Sequence, residues 1–308
     1  MFARRKSLGL GVIALGLAAT LAGCTSAGNP LDTGDSDSAA NEVTIGSQGF
    51  AESEILAQIY GQVLAANGYT VDYNTAIGER EAFLQGLGDG SIDFIPDYAG
   101  NLLYGSDPEA TASSIEDVTA ALPAVLEPLG LVVLDPAPGT DADALVVTPE
   151  FAAANNLTTI ADLAPIADTL TLAANTPFEA RWFGKLAETY GVEGLTFKAI
   201  DDFGGAGTLN ELLNNTVQVA DIYTTTPSIK ANNLVVLEDP EFMIPAQNVI
   251  PLLNKDLFSD ELAALLNEVS AKITTEELID LNTTYSSGDQ PSAETVAKDW
   301  LTANGFLS

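Results

Sequence analysis

The chain has 308 residues, 46% of them apolar, which is enough for a sizeable core in one large domain or in two lobes. Its 43 acidic residues face 11 basic ones, a formal charge of −32, so the Lys and Arg that phosphate contacts need are missing and nucleic acid is excluded as a partner. There is no histidine, and Cys24 is the sole cysteine, which removes Ser-His-Asp and Cys-His catalysis and the usual transition-metal ligands.

Residues 1–24 read as a secretion signal: Arg4, Arg5 and Lys6, an apolar run from Leu8 to Leu21 too short for a membrane span, then Leu21-Ala22-Gly23-Cys24. That ending resembles a bacterial lipobox, in which the cysteine is acylated and becomes the first residue. The alternative is an ordinary signal with an incidental cysteine. Acylation at Cys24 implies a protein held to the extracytoplasmic face of the cell membrane by lipid alone, because so acidic a chain is repelled by an anionic surface. Residues 25–42 are Ser, Asp, Gly and Ala without apolar period and read as a flexible tether.

A first lobe is expected over residues 43–143. Val43 to Ile45 alternates like a strand, Gly46-Ser47-Gln48-Gly49 turns the chain, and Ile55, Leu56, Ile59, Tyr60, Val63 and Leu64 recur at helical spacing until Asn67-Gly68 stops them. A strand from Tyr69 to Ile77, a helix from Glu79 to Leu87 and a strand from Ile92 to Ile95 complete a βαβαβ unit, hence a parallel sheet. Ligands bind beyond the carboxyl ends of such strands, where Gln48, Phe50, Glu79, Arg80, Pro96, Asp97, Tyr98 and Asn101 lie. A helix from Ser113 to Leu129 and a strand from Gly130 to Leu134 follow, and the Pro- and Asp-rich run Asp135 to Asp143 suits a hinge.

A second lobe is expected over residues 144–243, opening with strand Ala144 to Val147 and a helix capped by Thr148 with Pro149 in its first turn. Strands Thr169 to Ala173, Leu195 to Ile200 and Gln218 to Tyr223 alternate with helices from Phe178 to Tyr190 and after Gly204-Gly205-Ala206-Gly207. That glycine run lacks the Lys-Ser/Thr ending of a P-loop. Segments Leu234 to Leu237 and Met243 to Leu253 read as strands leading back to the first lobe, which residues 244–308 complete with three amphipathic helices, the middle one opening on a Thr274 to Glu277 capping box. Two α/β lobes joined by crossings near Asp141 to Asp143 and Phe242 to Asn248 enclose a cleft that can close on a small molecule.

The segments IGSQGFAESEILAQIYGQVL, IGERE, SIDFIPDYAGNLL, ALVVTPEFAAANNLTTIADLA, KLAETYG and ADIYTTTPSI are similar to those of the osmoprotectant substrate-binding proteins of ABC importers, the glycine betaine, choline and carnitine binders. The likeness covers nearly all of Val43 to Phe306, and NLTTIADLAP, LVVLEDPE and VIPL resemble the actinobacterial ProX-type branch. The resemblance implies a two-lobed periplasmic-binding-protein fold of type II, each lobe a mainly parallel sheet flanked by helices. It also implies a monomer that hands a small solute to an ABC permease and its ATPase, with no cofactor, no metal and no catalysis.

In that family a quaternary ammonium sits in a box of four tyrosines, because ring faces are negative and a methylated cation has no N–H to donate in a hydrogen bond. Tyr98 stands at the tyrosine of a PEYTGT-like motif and Tyr223 at that of an AYSTDGRI-like motif. Asp143 replaces the ring of an NTYA-like motif, and Ala246 or Gln247 replaces that of a PPYDCSP-like one. Two readings follow. In one, a betaine-like solute is held by Tyr98, Tyr223 and Asp143, with Gln48, Arg80, Asn101, Thr224 or Asn248 meeting its polar end. In the other, the site takes a polar or aromatic solute without a quaternary nitrogen, stacked on Phe50, Phe178 or Trp182. A lipid-anchored sensor, or a hydrolase working through paired carboxylates, is the reading from another class.

Overall fold

The computed structural model of the protein describes residues 42–78 and 80–308; the signal segment, Cys24, most of the tether and Glu79 fall outside the described residues. In chain order the first half contains β1 (Glu42–Gly46), α1 (Ala51–Ala66), β2 (Thr70–Asn74), α2 (Arg80–Asp89), β3 (Phe94–Tyr98), α3 (Ala99–Ser106), α4 (Ile115–Leu126) and β4 (Leu131–Val133). Then come β5 (Leu145–Val147), α5 (Pro149–Asn155), β6 (Thr171–Ala174), α6 (Thr176–Phe178), α7 (Gly184–Tyr190), β7 (Thr196–Ala199), α8 (Ala206–Leu213), β8 (Val219–Asp221), α9 (Pro227–Ala231) and β9 (Val235–Val236). β10 (Val249–Asn254), α10 (Asp260–Ser270), α11 (Thr275–Tyr285) and α12 (Ala293–Ala303) close the chain.

These strands form two five-stranded sheets, β2-β1-β3-β10-β4 and β7-β6-β8-β5-β9. Each is parallel except for one strand, β10 in the first and β5 in the second, which runs antiparallel to both neighbours. Apolar clusters cover both faces of each sheet. That double covering is why β3 is buried along its whole length. Pro96 and Pro251 fall opposite one another in the β3–β10 pair. Neither has an N–H to exchange, so the pair occupies a non-bonded position, and Pro96 lies past the last partner that β1 offers, Ile45 opposite Phe94. The carboxyl end of β3 is thereby released toward the second lobe.

Local chemistry sets most element ends. Asn67 and Gly68, the latter at φ +91°, stop α1, and Thr148 caps α5 by accepting from the Phe151 N–H. Thr274 accepts from the Glu277 N–H, one arm of the expected box, whereas Thr159 and Asp162 make a reciprocal capping box that the pattern did not suggest. One helix was not foreseen and two expectations are corrected. α3 starts directly from Tyr98 with no side-chain cap, so nothing in its sequence marks it. The helix expected from Phe178 to Tyr190 is broken by a π turn over Glu179–Phe183. And β9 does not lead back to the first lobe but pairs with β5 at the edge of the second sheet.

The crossings lie side by side: Thr140 bridges to Asn248, and Asp141 N–H donates to the Gln247 carbonyl (3.1 Å). Phe178 is wholly buried in the core of the second lobe and Phe242, on the second crossing, is 53% exposed. Phe178→Ala is expected to lower stability to chemical denaturation by about 3–5 kcal/mol, while Phe242→Ala stays within about 0.5 kcal/mol of the parent protein.

Candidate functional site

The carboxyl ends of both sheets face each other across the crossings. From the first lobe, Glu52 enters in the opening turn of α1, where the helix dipole favours a negative charge. It is nearly buried, and its carboxylate accepts from Tyr98 Oη (2.6 Å) and Asn282 Nδ2 (2.6 Å). Phe50, 43% exposed, stacks on the Tyr98 ring with centroids 6.1 Å apart. Asp97 is buried and receives Arg80 through Nε (3.0 Å) and Nη2 (2.6 Å), and Gln48 Nε2 (3.0 Å). Gln48 and Arg80 are thus both engaged with Asp97, a bidentate clamp that orders the rim of the first lobe.

From the second lobe, Asp221 ends β8 and Asp143 ends the first crossing, both buried. Asp143 Oδ2 accepts from Trp182 Nε1 (3.0 Å) and lies 3.7 Å from the Arg181 guanidinium, while Asn175 Nδ2 donates to Asp221 Oδ2 (3.3 Å). The Oδ1 atoms of Asp143 and Asp221 have no donor. The lobes also touch directly, for Arg181 Nη1 donates to Asn101 Oδ1 (3.1 Å), the Tyr104 and Trp182 rings meet edge-on, and the Lys185 ammonium lies over both, 5.3 and 4.9 Å from their centroids.

A cavity of about 340 Å³ opens between the lobes, lined by Phe50, Glu52, Asp141, Tyr223, Thr225 and Asn282 among others. Tyr98, stacked on Phe50 and hydrogen-bonded to Glu52, stands behind those two lining residues, while Tyr223 lines the cavity itself. A second cavity, about 470 Å³, lies beside the crossings against the start of α4, and Asp143, Thr224 and Asn248 line it. The Thr224 hydroxyl is held at Ala142 N–H (3.1 Å), and Asn248 Nδ2 donates to the carbonyls of Ala137 (2.8 Å) and Pro138 (3.4 Å). Those two residues fasten the crossings.

Phe178 is a correction: it belongs to the core, with Asn175 Oδ1 accepting its N–H (2.7 Å), and offers no surface to a ligand. Trp182 is buried too and spends its N–H on Asp143. Residue patterns alone did not mark Glu52, Asp221, Asn282 or Arg181. Glu52 looks like any first-turn acid and Asp221 like the polar end of an apolar strand. The scarcity of cations was the available signal for Arg181.

Burial pushes the carboxyls of Glu52, Asp141, Asp143 and Asp221 above their usual range. Glu52 raises Asp141 further and Asp143 raises Asp221, while Arg181 pulls Asp143 back part of the way. Each group therefore holds its proton more tightly folded than unfolded. The stability this contributes is complete below the ordinary values of 3.8 for Asp and 4.5 for Glu and is lost as pH rises through the raised ones. Moving from about pH 8 to about pH 6 is expected to raise the denaturation midpoint of the ligand-free protein. Asp221→Asn should raise the midpoint at the upper pH and flatten this slope, and an unchanged slope would show that the pair does not titrate.

Residues 41–303 match the family model described as the substrate binding domain of ABC-type glycine betaine transport systems. The glycine betaine-binding protein YehZ of Escherichia coli K12 is 25% identical over 282 residues, covering 87% of this chain and 92% of that protein. The carnitine transport binding protein OpuCC of Listeria monocytogenes is 25% identical over 281 residues, 88% of this chain and 89% of that protein. Among solved structures, a glycine betaine/carnitine/choline ABC transporter protein shares the fold at a TM-score of 0.75 and 21% identity, covering 86% of this chain and all of that one. Apo YehZ superposes at 0.68 with 25% identity over 86% of this chain and 99% of that one. These are solute-binding proteins and not enzymes, and with its two lobes, its crossings and a match that spans nearly every described residue, the chain belongs to the OpuAC family of ABC-transporter substrate-binding domains.

Proposed function

We propose that this protein captures a quaternary-ammonium compatible solute of the glycine betaine, choline and carnitine class between its lobes and delivers it to an ABC permease. The observation that carries this reading is the union, in the smaller cavity, of aromatic faces (Phe50 and Tyr223, with Tyr98 behind) and carboxylates (Glu52, buried, and Asp141, half-buried). A methylated cation needs negative surroundings and no hydrogen-bond acceptor of its own, which is what ring faces and screened carboxylates provide. The larger cavity also has carboxylates, Glu116, Asp143, Glu238 and Asp239, but carries a single ring, Phe242, among aliphatic groups such as Leu145, Ile160 and Ile244. Arg181, a positive group within electrostatic reach of Tyr223, suits the carboxylate of a zwitterionic solute.

The competing idea, a polar or aromatic solute with no quaternary nitrogen stacked on Phe50, Phe178 or Trp182, loses Phe178 and Trp182 to burial and keeps Phe50 as its one stacking surface. In the same reading Cys24 is acylated and anchors a monomer outside the membrane, and the segments NLTTIADLAP, LVVLEDPE and VIPL support the actinobacterial ProX-type branch. Cys24→Ala should release the protein from the membrane fraction into the medium.

Calorimetry with glycine betaine, choline and carnitine is expected to detect binding of at least one. Tyr223→Ala should weaken it about 2- to 30-fold, the worth of one desolvated ring. The uncharged tert-butyl isostere of the preferred solute should bind far more weakly. Equal binding of charged and uncharged forms would end the quaternary-ammonium reading.

A further inference from the structure

We propose that Phe203 is a specificity-determining ring of the ligand site, a wall at the rim of the second lobe that receives the trimethylammonium group beside Tyr223. This rests on the reading above. Phe203 follows β7, whose carboxyl end lies on the same sheet edge as those of β6 and β8. It is 53% exposed and belongs to none of the apolar clusters, so core packing does not account for it. Its φ of +53° is a left-handed conformation that a phenylalanine adopts only when its surroundings impose it.

The surroundings do so through two neighbours. Asp202 accepts from the N–H groups of Gly205 (3.2 Å), Gly207 (2.7 Å) and Thr208 (3.1 Å) and from the Thr208 hydroxyl (2.6 Å), which locks the loop onto the start of α8. Gly204, at φ +76°, lies so close to β8 that a Cβ there would stand 2.8 Å from Ile222 Cα and 3.2 Å from the Asp221 carbonyl oxygen. The loop therefore sits on the residues that lead into Tyr223. Asp201 Oδ1, accepting from the Thr176 N–H (2.7 Å), fixes it equally to the exit of β6. A strained, exposed ring on a rigid mount, in a loop packed against the two residues that precede Tyr223, is placed to replace an aromatic wall that Asp143 and Ala246 do not supply.

Phe242 is a built-in comparison. It has the same exposure and a similar φ of +49°, but it lines the larger cavity. Calorimetry on the full chain with glycine betaine and choline should show Phe203→Ala binding about 2- to 30-fold more weakly. Phe203→Trp should restore affinity and Phe242→Ala should leave it unchanged. Should Phe203→Ala fold poorly, Phe203→Gly, which accepts the left-handed backbone, should keep the thermal stability and still lose affinity. Wild-type affinity in Phe203→Ala or Phe203→Gly overturns the proposal, as does an equal loss in Phe203→Trp, which would mark a purely structural loop. A loss confined to Phe242→Ala moves the ligand to the larger cavity. A parent protein that binds neither compound removes the function proposed above and this role with it.

Discussion

Glu52 is taken out of water in the first turn of α1, and the protein answers with donors from three different places. Tyr98 comes from the end of β3, Asn282 from α11, and Thr225 from the loop that follows Tyr223 in the second lobe. A buried carboxylate without such partners would be costly, so its satisfaction determines where the Tyr98 ring lies and how closely the second lobe can approach. The stacking of Phe50 on Tyr98 and the shape of the smaller cavity follow from that bond.

The cleft as a whole holds more buried acid than base. Asp97 is matched by Arg80, but Asp143 and Asp221 share the influence of Arg181, and one oxygen of each finds no donor. Such a surplus destabilises the ligand-free protein at neutral pH and stabilises any cation that enters. Selectivity and stability are thereby set against each other in one cluster. The surface acidity of the chain is a separate matter, since solvent screens exposed charges that buried ones still feel.

Closure draws on direct contacts as well as on the solute. Arg181 to Asn101, and the Tyr104–Trp182 edge contact with Lys185 over both rings, join the lobes without passing through the smaller cavity. A solute that adds its own contacts to both lobes shifts an equilibrium these groups already bias. The π turn that breaks the helix after Phe178 is what brings Arg181 and Trp182 to this seam. The crossings beneath stay paired through Asn248, Thr224 and the Thr140 bridge.

Much of the architecture was readable along the chain because strand alternation, helical period and capping residues act over a few positions. The β-α-β order placed Gln48, Arg80 and Tyr98 at one sheet edge, and likeness to a family added Tyr223. What could not be read was how those residues spend their polar groups. Gln48 and Arg80 turn to Asp97, Trp182 turns to Asp143, and Phe178 disappears into the core. α3 escaped because it has neither cap nor period to announce it. Local pattern was enough for two α/β lobes, an acidic chain without histidine, and two tyrosines at strand ends. Which carboxylates are buried, and which donors meet them, is set by folding. Glu52 and Asn282 are 230 positions apart, and no local pattern records a partnership made by folding.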